Sequence, residues 1–189
     1  MEVMRVLKAE GTPARDVVLL LTDGEEAGLL GATGFFQSHP LAKQLGFVIN
    51  MESRGGGGRA NMFETAPANG AVIDLFRKAS TAPASSSLIV YLYKQLPNDT
   101  DFTVPRKAGI AGLNYAFIAR QFDYHSPVST PENLNQGSLQ HLGTRCWPRP
   151  ARPPSPLPCP ARRPTRSTPT RWAITCSPTP PWPGGACWP

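Results

Sequence analysis

Short apolar runs alternate with polar, glycine-containing breaks along this chain, and the runs set the expected elements. Val17 to Leu21 is continuously apolar with a β-branched start, as in a strand covered on both faces of a parallel sheet. Gly46 to Glu52 and Gly109 to Ala119 also read as strands, Ala60 to Ala66 is a strand candidate, and Leu88 to Tyr93 is strand-like but short enough to be ambiguous. A helical period appears elsewhere. Met1 to Glu10 spaces Val3, Met4, Val6 and Leu7 on one face, with Gly11 as a stop. Gly70 to Ala79 puts Val72, Ile73, Leu75 and Phe76 on a face that leaves Arg77 and Lys78 outward. Ala27 to Phe36 and Asn133 to Leu142 are the other helices expected. Thr22, Asp23 and Gly24 supply the turn into Ala27 to Phe36, with Asp23 and Glu26 in capping-box spacing. Leu96 to Val104 reads as a turn and helix start in which Asp99 and Asp101 cap or support.

Composition changes this picture only near residue 143. All thirteen acidic residues lie before Thr144, together with twelve of the nineteen basic ones. Beyond that point there is no Asp, Glu or Lys, but 14 of the 22 Pro, seven Arg and all four Cys and Trp. The formal charge of +6 therefore belongs to the tail, which removes most of the case for a nucleic-acid partner on the folded part. Residues 1–143 are expected to form the domain, and residues 144–189 a Pro/Arg-rich disordered tail. The tail also has the composition of GC-rich coding DNA read out of frame, an idea that an intact reading frame through codon 144 would refute. A polyproline ligand is the alternative. Cys146, Cys159, Cys176 and Cys187 show no Cys-x-x-Cys pair, which argues against a zinc module. No run approaches the roughly 20 apolar residues of a membrane span, and the first residues lack the apolar centre of a signal peptide.

The chemistry gathers at the ends of the apolar runs. Glu25 and Glu26 follow the Val17 to Leu21 strand at its carboxyl end, where open α/β sheets bind ligands. On spacing alone the pair could equally be acids in a first helical turn, stabilised by the helix dipole. Glu52, 26 residues after Glu26, closes the next strand, and by itself reads as an exposed acid at a strand terminus. Four glycines follow, Gly55 to Gly58, without the spacing of a phosphate loop, and are expected to form a flexible rim. Phe122 to Pro131 carries Tyr124 and His125, whereas His39, beside Pro40, and His141 are expected to be solvated. Gly112, Asn114 and Tyr115 could line a pocket, though core packing is the simpler reading.

The segments VVLLLTDGEEAGLLGA, Asn-x-Glu at Glu52, LPNDTDFTV and Tyr-His-Ser-Pro at residues 124–127 together resemble the co-catalytic zinc aminopeptidases, peptidase family M28, over about Met1 to Gly143. The resemblance implies a three-layer α/β sandwich with a mixed, largely parallel central sheet, as in zinc exopeptidases. It implies Glu25 as general base, Glu26, Glu52 and His125 as zinc ligands, and Tyr124 as a donor to the oxyanion. The implied function is a zinc-dependent exopeptidase, most simply an aminopeptidase, acting on peptide substrates. The family's bridging Asp and first His precede the helix that opens this chain, so the domain is expected to be incomplete at its N-terminus, with three of five ligands and impaired activity. The alternative is a catalytically inactive remnant or interaction module. Relatives are exported or attached to multi-span membrane regions, so the location of the parent protein stays open.

Overall fold

The computed structural model of the chain describes residues 2–13, 15–80, 83–146 and 171–176. Among the described residues five strands form one sheet: β1 Val17–Leu21, β2 Leu45–Ser53, β3 Gly57–Thr65, β4 Ala111–Ala119 and β5 Arg171–Cys176. Their order is β1-β5-β2-β4-β3, parallel except where β3 runs antiparallel to β4, so the α/β expectation of a mixed, mostly parallel sheet holds. The α-helices among the described residues are α1 Glu2–Ala9, α2 Leu30–Ser38, α3 Gly70–Ala79, α4 Ser87–Gln95, α5 Thr103–Lys107 and α6 Gln136–Cys146.

The two faces of the sheet feed two apolar clusters. Phe47 packs with Met62, Leu113, Tyr115 and Phe117, and with Val72, Leu75 and Phe76 of α3 and Leu142 of α6. Its neighbour Val48, on the opposite side of the pleat, joins Leu45, Phe102, Ile110 and Ala173, with Phe35 and Phe36 of α2 against them. This two-sided burial explains why β2 and β4 are nearly continuous apolar runs rather than alternating ones. Tyr115 belongs to this core, and Gly112 lets β4 approach β2, since a Cβ there would meet the Val48 carbonyl at 2.4 Å and the Phe102 ring at 2.5 Å.

Several expectations are corrected. Leu88 to Tyr93 is helix α4, not a strand; Ser86 caps it by accepting the Ile89 N–H at 3.2 Å, and the run has no neighbouring strand to pair with. An unbroken apolar hexamer carries no period to separate the two states. The Asp23–Glu26 capping box does not form, because α2 starts only at Leu30 and the Asp23 carboxylate accepts the adjacent Gly24 N–H at 2.7 Å. The tail is not structureless throughout: Arg171–Cys176 is a strand inserted between β1 and β2, with Ala173 fully buried. The rest of residues 147–189 lies outside the described residues. His141 is engaged rather than solvated, its Nδ1 accepting the Ala60 N–H at 3.0 Å.

Candidate functional site at the carboxyl ends of the strands

β1, β2 and β4 run parallel, so the segments that leave their carboxyl ends emerge on one side of the molecule. From β1 the chain enters a tight turn. The Glu25 carbonyl accepts the N–H groups of Gly28 and Leu29, at 3.0 and 2.8 Å, and the Asp23 carbonyl accepts the Gly31 N–H at 2.9 Å. Leu29, with φ 58°, then turns the chain into α2. Glu25 and Glu26 thus sit on a braced loop, not in a first helical turn, and the helix-dipole reading of the pair falls away.

From β4 the chain turns through Gln121–Asp123 to His125, which is held in the left-handed region at φ 51°. Arg120 pairs with Asp123 at 2.7 Å, and the Ser126 hydroxyl donates to the Asp123 carbonyl at 2.9 Å, so the loop is tied on both sides of His125. The His125 and Tyr124 rings stack with centroids 3.8 Å apart. His125 Nε2 lies 2.5 Å from Glu26 Oε1, a contact between residues 99 positions apart in the chain.

Glu52, near the end of β2, accepts from Asn50 Nδ2 at 2.9 Å. Asn50 Nδ2 also reaches Asn114 Oδ1 at 3.0 Å, and Asn114 Nδ2 donates to Thr100 and to Glu64, the latter paired with Arg106 at 3.1 Å. Asn114 is therefore the hub of a buried polar network under the site, not a pocket-lining residue. Gly55 and Gly56, expected as a loose rim, are buried instead. A Cβ at Gly55 would meet the Ala119 carbonyl at 2.3 Å and one at Gly56 the Asp123 carboxylate at 1.9 Å, so their lack of side chains lets the β2–β3 turn press against the His125 loop.

Negative charge accumulates here. Burial, reinforced by Glu26 and Asp101, pushes the Glu25 carboxyl up to about 7. Burial pushes Glu52 up to about 8 against the opposing hydrogen bond from Asn50, with Glu25 and Asp101 adding to the rise. Asp101 is fully buried; one oxygen takes the Thr22 hydroxyl and the other has no hydrogen-bond partner. Asp101 is thus not a helix cap, whereas Asp99 accepts the Thr103 hydroxyl at 2.9 Å at the start of α5.

A cleft of about 760 Å³ opens over these groups, lined by Glu25, Glu26, Tyr124, His125 and Arg54 among others. Arg54 was not singled out from the sequence. Its guanidinium sits 5.9 Å from the Tyr93 ring centroid and 5.7 Å from that of Tyr124. The signal was its place two residues after Glu52, but Tyr93 lay in a run read as a strand.

Carboxylate oxygen and imidazole nitrogen are donors that zinc accepts, and Glu26 with His125 supplies one of each in direct contact. Burial is the main cause of the raised Glu25 and Glu52 carboxyls and neighbouring carboxylates add to it, so the site fits a cation in kind. Glu52 does not close on the other two, however: among the described residues no three His, Cys, Asp or Glu side chains are grouped as a metal ion requires. His39 takes no part; its ring stacks on Phe35 and its Nδ1 accepts the Leu41 N–H at 3.2 Å.

The family model for "Peptidase family M28" matches residues 1–148. Among curated proteins, the chain is similar to "Endoplasmic reticulum metallopeptidase 1" of Mus musculus, 33% identical over 147 residues, covering 76% of this chain and 16% of that protein. The Homo sapiens protein of the same name is 32% identical over the same shares. A "Vacuolar membrane protease" of Candida dubliniensis is 32% identical over 142 residues, 74% of this chain and 15% of that protein. The chain thus spans about a sixth of the length of these relatives. No solved structure matches it. Among the described residues no helix is long and apolar enough to cross a membrane.

Proposed function

The chain belongs to peptidase family M28, and on that footing we propose that it is part of a zinc-dependent exopeptidase, an aminopeptidase, whose site is the Glu25–Glu26–His125 cleft. The observation that carries the reading is the meeting of Glu26 and His125, 99 residues apart, at 2.5 Å beside Glu25. In this reading Glu26, Glu52 and His125 hold zinc, and the fold is the three-layer sandwich of zinc exopeptidases. When bound, zinc lowers the pKa of a coordinated water to about 7 and polarises the scissile carbonyl. Glu25 takes a proton from the attacking water and returns it to the leaving amine, a task suited to a carboxyl whose affinity for protons is raised into the neutral range. The Tyr124 hydroxyl donates to the oxyanion as it forms. The buried Asn50–Asn114 pair holds the Glu52 carboxylate in one orientation.

With three ligands in this chain, and those three not closed on one point, metal binding is weak and turnover low in the isolated polypeptide. The relatives named for the endoplasmic reticulum and the vacuolar membrane make a membrane-attached parent part of the proposal. The second reading, an inactive remnant or interaction module, is favoured by the same lack of a three-donor group. Calorimetric titration with zinc, followed by hydrolysis of aminoacyl substrates by wild type and Glu25→Gln, separates the two. Saturable uptake that is lost in His125→Ala, with activity lost in Glu25→Gln, supports the peptidase; no uptake supports the remnant.

A further inference from the structure

Resting on the peptidase reading of the cleft, we propose that Arg54 is the anchor for a substrate carboxylate, so that the site takes short peptides carrying a negative charge near the reacting end. Arg54 leaves the end of β2 with its backbone N–H on the Phe117 carbonyl at 3.0 Å, which fixes where the side chain starts. Its guanidinium then lies by the rings of Tyr93, from α4, and Tyr124, from the His125 loop, at 5.9 and 5.7 Å. Two separate elements hold one cation by their ring faces, which desolvates it partly and limits its motion.

Contacts with ring faces leave the in-plane N–H fork unused, and that fork matches a carboxylate in bidentate fashion. Among the described residues Arg54 forms no ion pair, although four other arginines do, Arg5, Arg77, Arg106 and Arg120. Its side chain lines the same cleft as Glu25, Glu26 and Tyr124. A cation in a cleft next to Glu25 and Glu26 gives that cleft opposite poles. The acidic pole suits a free amino group, and the Arg54 pole suits an anion. Lys107 lines the same cleft and adds a second positive charge on its wall. A structural role for Arg54 would predict a carboxylate of the protein closed on it; the structure has aromatic walls there instead.

The carboxylate could be the peptide's own terminus or an acidic side chain, and three probes separate these: Ala-Ala, Ala-Asp-NH2 and Ala-Ala-NH2. Binding to the full chain is measured by calorimetry without added metal and again with zinc. Binding of Ala-Ala or Ala-Asp-NH2 about tenfold tighter than Ala-Ala-NH2 is expected, with the stronger of the two identifying the source. Arg54→Gln removes the preference and Arg54→Lys restores part of it. In the wild-type chain, the preferred acidic peptide protects Arg54 from phenylglyoxal, mapped by mass spectrometry, and Ala-Ala-NH2 does not; this arm holds even if the variants fail to fold. Equal binding of all three peptides with no protection overturns the anchor while leaving the peptide site standing. Binding of none of them overturns both.

Discussion

Truncating Asn114 tests the polar network that supports the site. The Asn114 side chain is fully buried and makes three hydrogen bonds: it accepts from Asn50 at 3.0 Å and donates to Glu64 at 3.1 Å and Thr100 at 2.8 Å. A neutral buried hydrogen bond contributes about 1 kcal/mol net, and one to a charged group about 1.5–3 kcal/mol. Asn114→Ala removes two of the first kind and one of the second. Asn50 keeps its bond to Glu52 and Glu64 keeps Arg106, which relieves part of the loss. The expected cost is about 3 kcal/mol. In urea, with a slope of about 2 kcal/mol per molar, the midpoint falls by about 1.5 M. Asn61→Ala, whose amide bonds only the exposed Arg59 carbonyl, is the control and shifts the midpoint by under about 0.3 M. Asn114→Asp sets another carboxylate beside Glu64, and costs more than Asn114→Ala at pH 7 than at pH 5. A loss below about 1 kcal/mol for Asn114→Ala would refute the network as a structural support.

Three further outcomes are expected. Gly112→Ala forces a Cβ onto the Val48 carbonyl and the Phe102 ring, and overpacking of this kind lowers stability by about 1–3 kcal/mol, read from thermal unfolding. Burial raises the Glu64 carboxyl above its ordinary range despite Asn114 and Arg106; a raised carboxyl stabilises the fold below its unfolded pKa and loses that contribution as pH climbs through the folded one, so wild type loses stability there while Glu64→Gln shows a flatter profile, and equal profiles would contradict it. The parallel ladder between β1 and β5 protects the backbone amides of residues 172–175 from hydrogen exchange, read by mass spectrometry, and exchange there as fast as in an unstructured peptide would contradict the β1–β5 pairing.

The parts legible in the sequence were those in which one local pattern had one structural solution. β2 and β4 announced themselves as apolar runs because burial on both faces demands it, and α3 because Val72, Leu75 and Phe76 all enter one cluster; β1, an equally apolar run, is an edge strand none of whose residues is fully buried, so its expected burial on both faces does not hold. Leu88 to Tyr93 failed since its apolar residues go to different places: Tyr93 packs edge-on against Phe63 at 4.6 Å, whereas Leu88, Tyr91 and Leu92 remain more than half exposed. Strand β5 was hidden by its surroundings, a proline-rich segment whose composition argued against any strand. At the site, position at a strand end marked Glu25 and Glu26 but left them equally readable as first-turn acids, and only the resemblance to family M28 gave them and His125 a role. Arg54 and Tyr93 could not be found that way, because what joins them is a contact between the end of β2 and α4, elements 33 residues or more apart in the chain and related only by the fold.

The sheet order also bears on how the site holds together. The sheet neighbour of β1 is β5, and β5 pairs on its other side with β2, so within the sheet the strand that carries Glu25 and Glu26 reaches the strand that carries Glu52 through residues 171–176. Two other links cross the same gap outside the sheet: the Thr22 hydroxyl on buried Asp101, and Glu26 on His125. The Asp101 carboxylate is buried, where pairing is offset by desolvation, whereas Glu26 and His125 are each about half exposed, where pairing is screened. The ladder, with Ala173 fully buried between β1 and β2, is the uncharged part of this connection and is insensitive to pH. Raising the pH through about 7 to 8 ionises Glu25 and Glu52 and adds negative charge beside these links, while the ladder gains none. A cation in the cleft acts in the opposite direction, since it adds to the partial relief that Arg54 already gives against the repulsion Glu26 and Asp101 exert on Glu25, and Glu25 and Asp101 exert on Glu52.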